Sequence, residues 1–132
     1  MRFVLQRVKH ASVKVDGELI GSIGRGYMVL MGVSDTDTEE ITDKMVDKMC
    51  KLRIFEDENG KMSRSAADVG GGLLVISNFT LYGSVRHGRR PEFLTAARPE
   101  KAKPYYEALV KELEKTLPVA CGVFGADMRI DA

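Results

Sequence analysis

The first part of the chain has the alternation of apolar and polar residues that is typical of strands buried on one face. This alternation covers Arg2–Ile23, and the dipeptide Asp16-Gly17 within it favours a tight hairpin turn because both residues can take positive φ. An unbroken apolar run follows at Tyr27–Val33, short enough to be a strand that is covered on both faces. The pattern therefore predicts a β-hairpin and then a central strand.

Two later segments have the period of an amphipathic helix. In segment 34–52 apolar residues recur at helical spacing, and Thr36–Glu39 has the spacing of a capping box. In the second segment, Ala102–Leu117, Pro104 is predicted to lie in the first turn, because a proline further inside would break the hydrogen-bond ladder. The chain therefore predicts two helices, each with one apolar face.

The remaining segments predict strands separated by glycine-containing turns. Arg53–Glu56 predicts a strand that ends at the turn Asn59-Gly60, and Val119–Ile130 resembles a further strand pair. The longest strand pattern, Leu73–Tyr82, follows the glycine run Gly70–Gly72. These glycines do not form a phosphate-binding loop, because they precede a strand and lack a Gly-Lys-Ser/Thr ending.

The order of these elements predicts an α+β fold, a largely antiparallel sheet or partial β-barrel flanked by two amphipathic helices. A chain of 132 residues, 44% of them hydrophobic, is long enough to bury a core as one domain. Its 20 Lys and Arg residues against 19 Asp and Glu residues give a net charge of +1. This balance argues against a surface coated with basic residues, so any polyanion must bind to a local patch.

The cysteines and histidines do not form a recognisable metal motif. Cys50 and Cys121 lie far apart among apolar neighbours, which predicts buried thiols in a reducing compartment. His10 and His87 are the only histidines, and we expect both to be solvated, with no zinc site and no cofactor. Charge interrupts Met1–Arg7 too early for a signal peptide, and no apolar run could cross a membrane, so we expect a cytoplasmic protein.

Catalytic chemistry is best supported at the end of the strand pattern Leu73–Tyr82. Alternation places Ile76, Asn78, Thr80 and Tyr82 on one face, so that an apolar strand becomes polar at its end. Burying a hydroxyl or amide without a partner costs about 1–3 kcal/mol, so these groups are exposed, paired or available to a ligand. Threonine is also common in strands, which leaves a purely structural role open.

A second candidate is the basic segment that follows this strand. Its positively charged residues are Arg86, Arg89, Arg90, Arg98, Lys101 and Lys103. Gly88 and Pro91 suggest a loop of defined shape, which would concentrate positive charge that the balanced total conceals. The alternative is a solvated loop without a partner.

Five segments of the chain match one known family. They are Val4–Val8 with Ala11–Val13, Leu52–Asp57, Ser77–Leu81, Gly88–Phe93 and Gly122–Met128. In sequence and order, over nearly the whole chain, they resemble the D-aminoacyl-tRNA deacylase (D-tyrosyl-tRNA deacylase) family. The resemblance implies hydrolysis of the ester between a D-amino acid and the 3′ end of tRNA, a chiral proofreading step in translation. It also implies a homodimer with active sites at the subunit interface.

The resemblance implies roles for individual residues. Ser77, Asn78, Phe79 and Thr80 would form the catalytic segment, with backbone N–H groups near Phe79 stabilising the ester oxyanion. Thr80 would be either the nucleophile or a residue that only lines the pocket. In the second case the ribose 2′-hydroxyl of the tRNA would activate water. The implied substrate-binding residues are Phe124, Gly125, Ala126 and Met128. The implied contacts to tRNA phosphates are Arg86, Arg89 and Arg90.

The sequence departs from the family pattern at two places. Asn78 stands where the family has glutamine, whose side chain is one methylene longer. The family also continues into a strand with a Gly-Pro-Val-Thr segment that excludes L-amino acids, and none of the four prolines here follows a glycine. We therefore expect residues 1–132 to form a single deacylase-like domain without that strand. The open alternative to a deacylase is a tRNA-binding or interaction protein without chiral selectivity or catalysis.

Overall fold

The computed structural model describes residues 1–132 and contains nine strands, two α-helices and one 3₁₀ turn. In chain order the strands are β1 (Arg2–Val8), β2 (Ala11–Val15), β3 (Glu18–Ile23), β4 (Gly26–Gly32), β5 (Phe55–Glu56), β6 (Met62–Arg64), β7 (Gly72–Ser77), β8 (Val119–Cys121) and β9 (Met128–Asp131). The helices are α1 (Glu39–Lys51) and α2 (Pro99–Glu114), and the 3₁₀ turn covers Phe79–Tyr82. Neither helix is long and apolar enough to cross a membrane.

The main sheet has the strand order β1-β4-β7-β8. β1 and β4 are antiparallel, whereas β4, β7 and β8 run parallel to one another. A second sheet, with the order β3-β2-β9, is antiparallel throughout, and β5 and β6 form a separate hairpin. The predicted α+β class is confirmed. The sheets are not closed into a barrel, and the main sheet is mixed.

The core has two parts because the main sheet is covered on both faces. Tyr27, Val29 and Val75 belong to a cluster of 16 buried residues between this sheet and the two helices. Met28 and Leu74, at the intervening positions, belong to a cluster of six residues that packs against the second sheet. The unbroken apolar run of β4 is thereby explained, and its prediction as a central strand is confirmed.

Local turn chemistry was predicted correctly in the hairpin between β2 and β3. Asp16 has a φ of 51° and Gly17 a φ of 79°, the positive values that a tight two-residue hairpin turn requires. The two strands predicted within Val119–Ile130 are present as β8 and β9, but they do not pair with each other. β8 pairs with β7 and β9 pairs with β2, because the connection at 122–127 turns at Gly125 (φ 78°) and crosses from the main sheet to the second.

The capping box predicted for α1 is wrong. Thr38 is the N-cap residue and makes no side-chain capping hydrogen bond, while the Thr36 hydroxyl lies 3.1 Å from that of Ser34. The buried Asp37 carboxylate instead accepts a hydrogen bond from the Ser34 N–H at 2.8 Å and pairs with the Met1 amino group. These buried contacts hold the segment in a turn before the helix begins.

The position predicted for Pro104 is also wrong, because α2 begins at Pro99 rather than near Ala102. Pro99 occupies the first helical position, where the missing N–H has no partner in any case. Pro104 therefore lies in the second turn. Both Pro104 and Glu100, whose carbonyl loses its usual partner, are exposed to solvent, where water can replace that hydrogen bond.

Candidate active site

A cavity of about 620 Å³ lies where β4 and β7 end. Its walls come from the ends of these two strands, the start of α2 and the crossing segment between β8 and β9. The carboxyl ends of neighbouring parallel strands lie at one edge of a sheet, so the main sheet itself places this opening. Most of the lining is apolar, with polar groups at the strand ends and at the rim.

β7 ends at a change from strand to 3₁₀ turn. The Asn78 N–H makes the last bond of the strand, to the Met31 carbonyl at 2.7 Å. The Asn78 Oδ1 then accepts hydrogen bonds from the Thr80 N–H, at 3.1 Å, and from the Thr80 hydroxyl. Asparagine often binds the backbone two residues further on, which begins a turn. The prediction of one strand as far as Tyr82 is therefore wrong after Ser77.

This turn separates the four residues implied as catalytic. Ser77, Asn78 and Phe79 line the cavity, whereas Thr80 does not and is exposed to solvent. The Thr80 hydroxyl donates to Asn78, and no histidine lies among the cavity residues. The side chain of Thr80 is thus occupied by the turn and has no base beside it.

All four residues implied to bind substrate line the same cavity. Phe124, Gly125 and Ala126 lie on the crossing segment, and Met128 begins β9. The Phe124 ring packs against the ring of Tyr106 in α2, with 5.9 Å between ring centroids. Two segments far apart in the sequence, 77–79 and 124–128, therefore meet at one cavity.

Tyr106, a buried residue of α2, lines the cavity at the end that we call its floor, and sequence reasoning missed this role. Its side chain is 5% exposed, and its hydroxyl donates a hydrogen bond to the Val75 carbonyl at 2.8 Å. Burial, and then the neighbouring Cys121 thiol, raise the pKa of Tyr106, so the phenol stays protonated and is not a catalytic base. The apolar repeat of α2 contained Tyr106, but a repeat does not show that a buried ring borders a cavity.

The rim of the cavity carries aromatic rings and one cation. Phe79 and Phe93 pack edge to face at 5.2 Å between ring centroids, and Phe79 is 58% exposed. Arg98, the residue before α2, also lines the cavity. Sequence reasoning placed Arg98 in the basic segment and did not assign it to the site.

The three arginines implied to bind tRNA phosphates lie outside the cavity. Arg86, Arg89 and Arg90 are exposed and form no ion pair. Two backbone hydrogen bonds between Ser84 and Glu92, of 2.8 and 2.9 Å, close their loop, and Gly88 turns it with a φ of 75°. The prediction of a loop with defined shape is confirmed. Because Phe93 follows directly, the base of this loop adjoins the rim of the cavity.

Comparison with known proteins identifies the family. The family model described as D-Tyr-tRNA(Tyr) deacylase matches residues 4–132. The D-aminoacyl-tRNA deacylase of Bacillus pumilus is 54% identical over 98% of this chain and 89% of its own length. That of Chloroherpeton thalassium is 52% identical over 98% of this chain and 87% of its own length.

Solved structures agree on the fold. The structure of a c-Myc DNA unwinding element binding protein superposes with a TM-score of 0.92 and 42% identity, covering 98% of this chain and 89% of that one. A probable eukaryotic D-amino acid tRNA deacylase, 19% identical, has a TM-score of 0.83 and shows the fold alone. The resemblance found in the sequence is thus confirmed, and the chain belongs to the D-Tyr-tRNA(Tyr) deacylase family.

Proposed function

We propose that this cavity is the active site at which the protein hydrolyses the ester between a D-amino acid and the 3′ end of tRNA. Curated relatives about half identical over nearly the whole chain are D-aminoacyl-tRNA deacylases. The observation that carries the assignment is that Ser77–Phe79 and the segment 124–128 line one cavity. We propose that the reaction takes place in the cytoplasm, where aminoacyl-tRNA is used.

The proposed oxyanion donor is the backbone N–H of Phe79. The first N–H groups of a helical turn have no partner within it, and that of Thr80 is bound by the Asn78 side chain. This leaves the N–H of Phe79, a residue that lines the cavity, to face the ester carbonyl. A donor that is already held in place stabilises the negative charge that develops on that oxygen, and removing one such donor typically lowers kcat by about 10²–10³-fold.

The nucleophile in this proposal is water rather than Thr80. Thr80 lies outside the cavity with its hydroxyl bound to Asn78, and Tyr106 remains protonated. The remaining group that can assist is the ribose 2′-hydroxyl of the substrate. Water attacks the carbonyl carbon and gives up a proton, the bond to the ribose 3′-oxygen breaks, and that oxygen takes up a proton, so that the free amino acid and the tRNA with its 3′-hydroxyl are released. The protein contributes by orienting the ester and stabilising the oxyanion.

The direct test compares D-tyrosyl-tRNA with L-tyrosyl-tRNA, with spontaneous hydrolysis measured in reactions without protein. We expect rapid release of D-tyrosine and little release of L-tyrosine above that background. Hydrolysis of neither ester would refute the deacylase and support the alternative, an interaction protein without catalysis. Equal hydrolysis of both would refute chiral selectivity alone.

We further propose that two copies of the chain associate at the cavity rim. Several large apolar side chains near the rim are exposed, among them Phe79, Val85 and Leu94, which is 82% exposed. Burying a leucine contributes about 1.5–3 kcal/mol, so covering these side chains would favour association. Such an interface would place the active sites between the two subunits.

The dimer is tested by sedimentation equilibrium of the wild type, Leu94→Glu and Leu19→Glu. We expect a dimer that Leu94→Glu weakens by at least about tenfold in Kd, because burying the new carboxylate is unfavourable. Leu19 is the matched control, since it is 57% exposed in β3 and does not line the cavity. A monomeric wild type, or equal effects of the two substitutions, would contradict association at the rim.

A further inference from the structure

Arg98 is the only charged residue that lines the cavity. Its backbone is fixed, because its carbonyl accepts hydrogen bonds from the N–H groups of Lys101 (3.0 Å) and Ala102 (2.8 Å) at the start of α2. Its side chain is exposed and takes part in none of the ion pairs of the protein. An unpaired guanidinium is therefore held at the edge of an otherwise uncharged cavity.

The two ends of the cavity along α2, at Arg98 and at Tyr106, differ in character. Both residues and the buried Ala102 between them line it, and the eight-residue separation corresponds to about 12 Å along a helix. At the Tyr106 end the hydroxyl is bound to Val75, so that the aromatic ring and that of Phe124 are the groups presented. One end is thus positively charged and the other is apolar.

The substrate of the proposed function also has two parts that differ in charge. An aminoacyl-tRNA carries a positive α-ammonium group on the amino acid and negative phosphodiesters between its terminal nucleotides. A guanidinium repels the first and binds the second, since it can offer two parallel N–H donors to one phosphate. Arg98 favours the orientation in which the nucleotides lie at the rim and the aminoacyl side chain points to the floor.

We propose that Arg98 binds a phosphodiester of the 3′-terminal nucleotides and so sets the direction in which the aminoacyl end enters the cavity. This inference rests on the proposed function and adds a specific residue to it. Arg98 differs in this role from Arg86, Arg89 and Arg90, which lie outside the cavity and would meet phosphates further along the tRNA.

The test compares Arg98→Gln and Arg98→Lys on two substrates, D-tyrosyl-tRNA and D-tyrosyl-adenosine, which has the same ester but no phosphate. We expect Arg98→Gln to lower kcat/KM for the tRNA about tenfold, through KM, because one charge-assisted contact is lost. Arg98→Lys should retain most of this activity. Neither substitution should change the hydrolysis of D-tyrosyl-adenosine. Lys111→Gln is the matched control, since Lys111 lies on the same helix, is exposed without an ion pair and does not line the cavity.

Salt dependence and binding supply readouts that a merely structural role would not change. The slope of log(kcat/KM) against log[salt] should become shallower by about 0.7 in Arg98→Gln, the value for one phosphate contact on a single strand. The affinity of Arg98→Gln for deacylated tRNA, measured by fluorescence anisotropy, should be about tenfold lower than that of the wild type. This measurement does not depend on hydrolysis of an ester.

The outcomes separate this inference from the proposed function. An equal loss of kcat/KM on D-tyrosyl-tRNA and D-tyrosyl-adenosine would overturn the inference, because Arg98 would then act on the ester or on the fold. An unchanged affinity of Arg98→Gln for tRNA would overturn it too. If the wild type hydrolyses neither ester, the proposed function fails. Weaker tRNA binding by Arg98→Gln would still support the phosphate contact in that case.

Discussion

Gly26→Ala is expected to destabilise the protein by about 3 kcal/mol or more, a large part of the total stability of a small domain. A Cβ atom at Gly26 would lie 1.8 Å from the carbonyl oxygen of Gly72 and 2.7 Å from its nitrogen. These are backbone atoms of the neighbouring strand, and the Gly72 N–H is bound to the Arg25 carbonyl at 3.0 Å. The strands can make room only by breaking the pairing of β4 with β7.

Urea denaturation followed by circular dichroism measures this effect. The matched control is Gly24→Ala, because a Cβ at Gly24 would meet nothing within 4 Å and this residue does not have a positive φ. We expect the midpoint of Gly24→Ala to stay close to that of the wild type. Similar midpoints for the two variants would show that β4 and β7 do not approach each other as closely as described.

Asn78→Ala is expected to lower kcat on D-tyrosyl-tRNA by about 100-fold in a protein that still folds. The substitution removes the acceptor that holds both the N–H and the hydroxyl of Thr80, so the turn that positions Phe79 loses its anchor. Losing such a cap typically costs about 1 kcal/mol of stability, too little to unfold the domain. Single-turnover hydrolysis, together with an unfolding curve, separates the catalytic effect from the stability effect.

Two companion variants identify the cause. Asn78→Asp keeps the Oδ1 acceptor and should retain far more activity than Asn78→Ala. Thr80→Ala keeps the backbone N–H bond and loses only the hydroxyl, so its activity should fall by at most about tenfold. If a folded Thr80→Ala variant hydrolyses the ester no faster than the reaction without protein, Thr80 is the nucleophile and the water mechanism is refuted. An Asn78→Asp variant as inactive as Asn78→Ala would point to a contact between the amide and the substrate.

The fold was predictable where the decisive interactions are local. The hairpin at Asp16-Gly17 depends on the φ values of two residues, and the apolar run of β4 depends on its own burial. Strand partners were not predictable in the same way. β8 and β9 are adjacent in sequence but join different sheets, because pairing depends on packing between distant segments rather than on the pattern within each.

The site was only partly predictable for related reasons. Asn78 follows a strand, and asparagine often begins a turn. The alternation of apolar and polar residues continues past Asn78, however, so the pattern predicted a strand there. From the sequence, Arg98 was assigned to the basic segment and Tyr106 to the apolar face of α2. Their meeting at the cavity depends on how α2 packs across the end of the main sheet, which no local pattern contains.

The hydrogen bond between Tyr106 and Val75 constrains how the substrate range of this enzyme could evolve. A smaller side chain at position 106 would deepen the cavity for bulkier amino acids, but it would also leave the Val75 carbonyl buried without its donor in the middle of the main sheet. Any gain in substrate breadth at the floor is thus tied to a loss of stability. The exposed rim lacks this coupling, so we expect selectivity to diversify there first.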